Sequence, residues 1–543
     1  MRIIALSLLT YVAALVVASP AQLPLRMDAE NGGTIASRPK KLHGRFLHIT
    51  DMHPDPFYTP RASTSKSCHG KKAKKKKKEA GYWGTPVVEC DSPLRLTNFT
   101  LDYLGKNWAD EVDFVIWTGD NARHDEDHKI PRTPNEIFDL NRQVAAKMEK
   151  IFLKRGIPVV PSLGNNDIWR PNKITNEFTS IWSAFVPFPQ RQVFQRGAYY
   201  SVEVIPGRVA VISLNSIYFY DSNKAVGGCQ YRERDDPGNL QLDWLEVQLR
   251  MYRERNMVYL SGHIPPSPGM YFPECYVRYV ELSLRFQDTI LGHLYGFLFV
   301  EEVDLDIIPE DENGKLKIRG AHDGLYKTLL TEFAHLPKED DEKKLDGLAV
   351  VNVAPSVVPN PFVPSFRIFS YNVSAEALMK QMGKKRNHGH RRGRKGDKDK
   401  HCKEEPYRSS WKCHLNEPWY SDSDAPSRKS QAFTPLGYAQ YYMPDISEAN
   451  KTHPPHFELE YVTYPVSALQ PGGSGDEKEF VYPVPLQHLP RSLRAGNRTS
   501  SRYAPYEIDD LTIGSWVGLG RRLGHGGHGK LRRQFRKYMY VGG

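Results

Sequence analysis

Five short apolar runs, each typical of a buried β-strand, are closely followed by side chains that can bind a metal ion. The runs are Arg45–Thr50, Asp113–Thr118, Ile157–Leu163, Val258–Ser261 and Thr289–Leu291. The polar segments after them are Asp51-Met52-His53, Gly119-Asp120-Asn121, Gly164-Asn165-Asn166-Asp167, His263 and His293. Because parallel strands bring their carboxyl ends to one edge of a sheet, this order predicts one shared site rather than five ordinary turns.

Segments with a helical period alternate with these runs, among them Ile137–Phe152 and Leu240–Arg253. The alternation predicts an α/β fold rather than an all-β one. Further strand-like runs come after the last histidine, at Val300–Ile308, Gly347–Val353 and Ser365–Tyr371. We expect these runs to contribute to a second sheet that packs on the first.

The donor types in the polar segments indicate a pair of divalent metal ions. The candidate ligands are the carboxylates of Asp51 and Asp120, the amide of Asn165, and the imidazoles of His53, His263 and His293. Such a mixed set suits Zn, Fe, Mn or Co better than Mg or Ca alone, and the identity of the metal stays open among Mn, Co, Zn, Fe and Mg. Two ions about 3.5–4 Å apart acidify a bridging water and neutralise a phosphoryl group, so the predicted reaction is hydrolysis.

Basic charge is concentrated in three clusters of a chain with a formal net charge of +11. One cluster has seven lysines in the eight positions Lys71–Lys78, a second lies between residues 384 and 400, and a third lies between 521 and 537. Each could be a solvated loop, yet such loops attract phosphate chains electrostatically. We therefore expect a polyanionic partner, without specificity for a nucleic acid, and take Lys71, Lys72, Lys74 and Lys75 as candidate substrate contacts.

Several features predict entry into the secretory pathway. Residues 1–18 have the pattern of a cleaved signal peptide, with a retained signal anchor as the alternative. Glycosylation sequons begin at Asn98, Asn372, Asn450 and Asn497. The six cysteines suggest the pairs Cys68–Cys90, Cys229–Cys275 and Cys402–Cys413, although six cysteines allow fifteen pairings.

Composition divides the rest of the chain into five parts. We expect a flexible linker at 19–41, a catalytic domain at 42–375 and an exposed basic insertion at 376–410. A C-terminal extension at 411–470 recovers aromatic residues and should pack on the catalytic domain. Glycine, serine, proline and basic residues dominate 471–543, which predicts a largely disordered basic tail.

The ordered set DxH, GDN, GNxD, GH and GH resembles the calcineurin-like metallophosphoesterases, and most of all the branch with acid sphingomyelinases and fungal endopolyphosphatases. The resemblance continues in Cys90-Asp91-Ser92-Pro93, in Ser261-Gly262-His263-Ile264-Pro265-Pro266 and in Pro355-Ser356-Val357-Val358-Pro359. It implies a four-layer αββα sandwich of two mixed β-sheets flanked by helices. By the same resemblance, Asp51 and His53 hold the first metal, Asp120 bridges, and Asn165, His263 and His293 hold the second.

The chain departs from the broad family pattern at Asn166, where many relatives have a histidine that protonates the leaving oxygen. An anhydride expels phosphate, whose conjugate acid is already strong, so it needs a general acid less than an ester does. The substitution therefore favours phosphoanhydride substrates. His124 and Arg123 remain candidates beside the scissile phosphate, the first as hydrogen-bond or proton donor and the second as a stabiliser of charge; the alternative for both is packing of a loop.

A second departure is Tyr295, which stands where the wider family has the second histidine of GHxH. A tyrosinate could bind the first ion, water could take the position, or the first ion could bind more weakly. The residues do not decide among these alternatives.

The leading functional hypothesis is hydrolysis within long chains of inorganic polyphosphate, inside an acidic storage compartment such as the fungal vacuole. One alternative is a phosphodiesterase acting on sphingomyelin or nucleotides. No saposin-like cysteine-rich segment precedes the predicted catalytic domain, which makes sphingomyelin the less favoured substrate. Another is a polyanion-binding protein whose catalytic site has decayed. The oligomeric state is left open.

Overall fold

The computed structural model of the protein describes residues 42–168, 174–255, 257–296, 321–338, 342–383, 409–415, 423–469, 483–494 and 499–539. The predicted signal or anchor at 1–18, the linker at 19–41, the strand-like run at 300–308 and the sequon asparagine Asn497 lie outside these ranges. Most of the predicted basic insertion, from residue 384 to residue 408, also lies outside them.

Thirteen strands are present in the described residues. They are β1 (Arg45–Ile49), β2 (Pro54–Asp55), β3 (Ser92–Pro93), β4 (Phe114–Trp117), β5 (Val159–Pro161), β6 (Tyr200–Ile205), β7 (Val209–Ser213), β8 (Met257–Gly262), β9 (Ile290–Tyr295), β10 (Val351–Val353), β11 (Ser365–Tyr371), β12 (Pro435–Tyr442) and β13 (Glu458–Val462).

The helices of the same ranges surround these strands. They are α1 (Leu94–Asn107), α2 (Pro134–Ile151), α3 (Ile174–Ile181), α4 (Arg191–Gly197), α5 (Pro237–Arg253), α6 (Pro273–Arg285), α7 (Ala321–Ala334), α8 (Glu342–Leu345), α9 (Ala375–Gly383), α10 (Trp411–His414), α11 (Arg491–Arg494), α12 (Ile513–Gly524) and α13 (Gly529–Met539).

The two longest helices begin at capping residues that the sequence supplies. The Thr133 side chain accepts a hydrogen bond from the Glu136 backbone at the start of α2, and Asp236 accepts from two backbone N–H groups at the start of α5. A proline follows each cap, where its fixed φ suits the first helical turn and its missing N–H costs nothing.

Two mixed sheets form the centre of the fold. The first has the order β13-β12-β11-β1-β4-β5, and the second has the order β10-β9-β8-β7-β6. Strands β1, β4 and β5 are parallel, as are β7, β8, β9 and β10. The carboxyl ends of β1, β4, β5 and β8 are therefore followed by four of the polar segments singled out above, whereas His293 lies within β9.

The sheets face each other and are covered on their outer faces by helices. The ring of Phe46 on β1 lies 5.3 Å from that of Tyr259 on β8, across the space between the sheets. Leu104 of α1 and Met148 of α2 belong to the buried cluster of the first sheet, whereas Leu245 of α5 belongs to that of the second. This layering confirms the predicted α/β fold of mixed sheets flanked by helices.

The C-terminal part of the chain differs from its prediction. Strands β12 and β13 are members of the first sheet, so the segment 411–470 completes that sheet instead of merely packing on it. The prediction of a largely disordered tail at 471–543 is wrong for its described residues, because Leu493, Tyr506 and Leu523 are buried in the main core. Short apolar stretches between basic residues gain their stability from this tertiary burial.

Two predicted disulfides are confirmed, Cys68–Cys90 and Cys229–Cys275. The third predicted pair includes Cys402, which lies outside the described residues. Among the helices described here, none has the length and apolar character needed to cross a bilayer.

Candidate metal centre

The loops after β1 and β4 have an unusual backbone at the predicted ligands. Asp51, His53 and Asp120 have φ values of 52°, 37° and 57°, in the left-handed region that residues with a Cβ rarely adopt. Backbone hydrogen bonds from Asp51 to Gly119 and from Met52 to Asp120 join the two loops. Such local strain persists only where surrounding contacts over-determine it, and it is typical of functional sites.

Five of the predicted ligands converge around the Asp120 carboxylate. Its Oδ2 lies 3.3 Å from Nε2 of His53 and 3.3 Å from Nε2 of His263. Asp51 Oδ1 lies 3.5 Å from His53 Nε2, and Asn165 Oδ1 lies 3.0 Å from His263 Nε2. Asp120 is therefore the shared centre of a carboxylate–imidazole–amide group.

Both imidazoles are held through the nitrogen that faces away from this group. His53 donates from Nδ1 to the carbonyl of Ala122 at 2.8 Å, and His263 donates from Nδ1 to the carbonyl of Thr118 at 2.7 Å. In the neutral ring, the lone pair of each Nε2 can therefore bind a metal ion. This pattern is the usual one for histidines that bind metals.

The electrostatics of the group are dominated by negative charge. Burial lowers the pKa of His53 and of His263, but the neighbouring carboxylates, Asp120 first, outweigh it and raise each pKa to about 9. Burial raises the Asp120 pKa, but the two imidazoles outweigh it and hold that pKa far below its usual range. Without an ion the protons on the two histidines provide the positive charge that the carboxylates need.

The amide of Asn166 orients the central carboxylate. Asn166 donates from its backbone N–H to Asp120 Oδ1 at 2.8 Å and from Nδ2 to Asp120 Oδ2 at 2.9 Å. Gly164 is required beside it, because a Cβ there would lie 1.9 Å from Asp120 Oδ1. Asn166 therefore positions Asp120, and the structure gives it no acidic proton to donate.

Asp167 has the same kind of structural role. It is fully buried and accepts hydrogen bonds from the backbone N–H groups of Asp120, Asn121 and Gly164 and from the Asn141 amide. Burial and the nearby Asp120 charge raise its pKa. The GNxD motif thus supplies one candidate ligand, Asn165, and two residues that position Asp120.

The donor set fits divalent ions. Asp51, Asp120 and His263 can each offer a ligand atom within 4.8 Å of the others, and His53, Asp91 and His124 form a second such group. Carboxylate oxygens and neutral imidazole nitrogens at this spacing are ligands for Zn, Mn, Fe or Co. The residues present are therefore able to hold the implied metal.

Asp91 is a site residue that the sequence analysis did not single out. Its carboxylate accepts from His124 Nδ1 at 2.7 Å and from the His124 backbone N–H at 2.6 Å. Burial raises the Asp91 pKa, but the His124 charge and hydrogen bond outweigh it and lower that pKa. The signal in the sequence was the segment Cys90-Asp91-Ser92-Pro93, which was part of the family resemblance but received no role; the pairing of β3 with β2 brings it to the DxH loop.

His124 lies beside the candidate ligand His53, and its contact with the scissile phosphate stays a prediction. Its ring stacks on that of His53 at a centroid distance of 4.1 Å, and it lines a cavity of about 300 Å³ together with Asp51 and His53. With Nδ1 bound to Asp91, its Nε2 is the nitrogen available to a substrate.

Arg123 does not have its predicted role. The guanidinium donates to Glu136 and to the carbonyls of Ile130 and His124, and the side chain is 1% exposed. It therefore packs the loop, which was the alternative. Arg132, which sequence reasoning missed, contacts the site through Nη1, 2.8 Å from the Asn166 carbonyl.

The structure separates His293 from the other predicted ligands. His293 lies within β9, and its Nδ1 is 2.7 Å from the Tyr279 hydroxyl. Burial lowers its pKa to about 4, with no contribution from a carboxylate. The Tyr295 hydroxyl donates to the same Tyr279 at 2.7 Å, and burial raises its pKa well above 10. Neither residue is placed to bind the metal pair.

Gly296 is the residue of this segment that reaches the centre. A Cβ built on Gly296 would lie 3.2 Å from Asp51 Oδ2 and 2.2 Å from Thr50 Oγ1. The sequence continues with Phe297-Leu298-Phe299, which offers no ligand atom in its side chains. We therefore assign the donor set to Asp51, His53, Asp120, Asn165 and His263.

The remaining predicted site residues within the described ranges are exposed or half-buried. Lys71, Lys72, Lys74 and Lys75 are exposed in the loop closed by Cys68–Cys90. Among the predicted glycosylation sites, Asn98 and Asn450 are exposed and Asn372 is half-buried.

The fold and this centre define a class of metal-binding hydrolases, and comparison with known proteins names it. The profile of the calcineurin-like phosphoesterases matches residues 44–297. The chain belongs to this family.

Several endopolyphosphatases of fungi resemble the chain over much of its length. An endopolyphosphatase of Cryptococcus neoformans is 37% identical, with 90% of each chain covered. An endopolyphosphatase of Schizosaccharomyces pombe is 35% identical over 65% of each chain. One of Saccharomyces cerevisiae is 39% identical over 56% of this chain and 46% of its own length.

Proposed function

We propose that this chain is an endopolyphosphatase, a metal-dependent hydrolase that cleaves phosphoanhydride bonds within long chains of inorganic polyphosphate. The observation that carries the proposal is the convergence of Asp51, His53, Asp120, Asn165 and His263 at one edge of the two sheets. The names of the relatives at 35–39% identity support the choice of substrate.

The five donors would hold two divalent ions, with Asp120 as the shared ligand. When bound, such ions acidify a water molecule and neutralise the charge of the phosphoryl group under attack. The chain contributes a rigid ligand frame, since the backbone carbonyls of Ala122 and Thr118 fix the two imidazoles. Asn166 and Asp167 keep the shared carboxylate in place.

His124 would bind the phosphate that leaves. Because Asp91 holds the ring through Nδ1, Nε2 faces away from that carboxylate and can donate to a phosphate oxygen when the ring carries both protons. Strong acid catalysis is not needed, since the leaving group of an anhydride is itself a weak base. The amide at Asn166, which cannot protonate an alkoxide, is consistent with this choice of bond.

We also propose that the enzyme works in an oxidising compartment of the secretory pathway, such as an acidic vacuole. The N-terminal apolar segment, the sequons and the two disulfides support this location. Reduction of the disulfides should lower activity only after the loop closed by Cys68–Cys90 has unfolded. Such a result would agree with a structural need for an oxidising compartment.

The test is the length of the products. Purified protein with Mn²⁺ and long-chain polyphosphate should give a ladder of intermediate chains on a gel before orthophosphate accumulates. The matched control Asp120→Asn should leave the long chains intact. Release of orthophosphate alone while the parent chains persist would exclude internal cleavage, and faster turnover of a nitrophenyl phosphodiester would favour the phosphodiesterase alternative.

A further inference from the structure

The most concentrated charge in the described part of the chain lies beside the metal centre. We call residues 70–79 the lysine loop; all seven of its lysines are exposed. Lys72 pairs with Glu79 at 3.6 Å, and Lys78 donates to Ser65 at 3.2 Å. The other five have no acidic partner within the described ranges, so their charge is available to a ligand.

The backbone of the lysine loop is fixed although its side chains are exposed. Arg61 exchanges backbone hydrogen bonds with the loop on both sides, donating to Ala80 and accepting from Ala73, and Ala62 accepts from Ala80. The side chains of Ala73 and Ala80 are 9% and 4% exposed. The Cys68–Cys90 disulfide closes the segment at its base. A loop so restrained presents its lysines at defined positions.

A buried histidine joins the base of this loop to both loops of the metal centre. His69, 5% exposed, lies with Nε2 2.7 Å from Asp55 Oδ2 and with Nδ1 3.0 Å from Asp127 Oδ2. Asp55 comes two residues after His53, and Asp127 comes seven residues after Asp120. Because carboxylates only accept, both ring nitrogens donate, and His69 is a cation between two anions. We call these three residues the His69 clamp.

Removing the charged groups of the His69 clamp from water costs free energy. A fixed position of the lysine loop is a function that would justify this cost. His69 and Asp55 are buried and Asp127 is half-buried, and the burial of charged groups is repaid only by good geometry. The ring of Phe57 lies between this clamp and the Arg123 guanidinium, 6.0 Å from His69 and 5.1 Å from Arg123. The His69 clamp therefore connects the base of the lysine loop to the two segments that follow the ligands His53 and Asp120.

We propose that the lysine loop is a polyanion-binding arm that holds a polyphosphate chain beyond the cleaved bond, and that the His69 clamp sets its position relative to the metal centre. This inference rests on the proposed function for the identity of the polyanion. It assigns the binding of long chains to the arm and leaves the binding of a short chain mainly to the centre. His69 is thereby a positioning residue.

The first test removes charge from the arm. The triple variant Lys74→Gln, Lys75→Gln, Lys77→Gln is compared with Lys106→Gln, Lys150→Gln, Lys154→Gln, which removes the same charge near the C-terminal ends of α1 and α2, at the opposite edge of the sheet. Binding of fluorescent long-chain polyphosphate is measured without metal at several salt concentrations. The arm variant should bind about tenfold more weakly, with a salt slope reduced by about 2, and the control should not. Equal losses in both variants would overturn the proposal.

The second test breaks the clamp without changing the arm. His69→Gln can contact only one of the two carboxylates at a time, and we expect the KM for long chains to rise about tenfold relative to the KM for tripolyphosphate, with kcat for tripolyphosphate retained. Tryptic cleavage within 70–79 should become faster. An equal rise of both KM values, or unchanged cleavage by trypsin, would overturn the positioning role.

These experiments separate the arm from the proposed function. Binding without metal does not depend on hydrolysis. A wild-type protein that binds polyphosphate through the arm but does not shorten it would support the arm and refute the endopolyphosphatase proposal, whereas normal cleavage by both lysine variants and by His69→Gln would refute the arm alone.

Discussion

Two glycine–histidine pairs belong to neighbouring strand segments of the second sheet, and only one of them reaches the metal centre. His263 follows the last residue of β8 and contacts Asp120 and Asn165. His293 lies inside β9 and contacts Tyr279 in the layer between the sheet and α6. The same dipeptide after a similar apolar run thus lies at the candidate metal centre in one case and in a packing position in the other.

The register between the strands explains the difference. Gly262 pairs with Tyr295, so His293 pairs with Leu260, well inside the sheet. At about 3.3 Å per residue, His293 lies about 10 Å short of the level of His263. A matching motif therefore does not suffice to make a residue a metal ligand. The residue must also lie at the end of its strand, at the level of the centre.

The largest expected effect is on turnover. His263→Ala removes a donor from the centre, and we expect polyphosphate hydrolysis to fall about a thousandfold, or about 4 kcal/mol in activation free energy. His293→Ala should keep activity within about threefold once unfolded protein is corrected for. Steady-state rates with Mn²⁺ measure both. Comparable losses of turnover in the two folded variants would mean that both histidines serve the centre.

The pH dependence of stability should differ in sign between the two histidines in protein freed of metal. The His263 pKa is raised to about 9, so its stabilisation is complete below 6.5 and is lost as the pH rises towards 9. The His293 pKa is lowered to about 4, so its stabilisation is present above 6.5 and is lost as the pH falls towards 4. Each histidine changes the free energy of unfolding by at most about 3 kcal/mol across its pH range.

Urea unfolding of the two alanine variants across this pH range separates these contributions. His263→Ala should flatten the alkaline limb, with His53 accounting for what remains, and His293→Ala should flatten the acidic limb. An alkaline limb that changes only in His293→Ala would reverse the assignment of the two environments.

A smaller loss is expected at the residue that orients the shared carboxylate. Asn166→Ala removes the amide that donates to Asp120 Oδ2, and Mn²⁺ affinity should weaken about 10- to 100-fold. Competition with a fluorescent chelator measures this affinity. Unchanged affinity would show that the ion does not use the Asp120 geometry described here.

The smallest effect is expected behind His293. Tyr279→Phe removes the hydroxyl shared by His293 and Tyr295, which should lower the free energy of unfolding by about 1–3 kcal/mol. Metal affinity should stay at the wild-type value. A marked loss of Mn²⁺ binding in this variant would connect the β9 side chains to the centre after all.

The sequence predicted the parts that depend on local pattern. Strand β11 begins and ends where its apolar run does, although it joins the first sheet and not the expected second one, and α5 ends at the predicted Arg253. Asp51, His53, Asp120, Asn165 and His263 were singled out because each comes within a few residues of the end of a strand. The two disulfides followed from the spacing of the cysteines along the chain.

The parts that depend on tertiary contacts were missed. Asp91 meets His124 across 33 residues that contain α1 and β4, and local pattern does not reveal such a contact. The register of β8 and β9 displaced His293. The sequence of α12 is rich in glycine and arginine and was therefore predicted to belong to a disordered tail. Its Val517 and Leu523 are buried by contacts that form only when the chain folds.

The metal content of three purified proteins tests the central claim most directly. Wild type, His263→Ala and His293→Ala are loaded with Mn²⁺, dialysed and measured by elemental analysis. We predict that wild type and His293→Ala retain the same content, at least one ion per chain, and that His263→Ala retains much less. Loss of Mn²⁺ from His293→Ala with retention in His263→Ala would contradict the assigned centre.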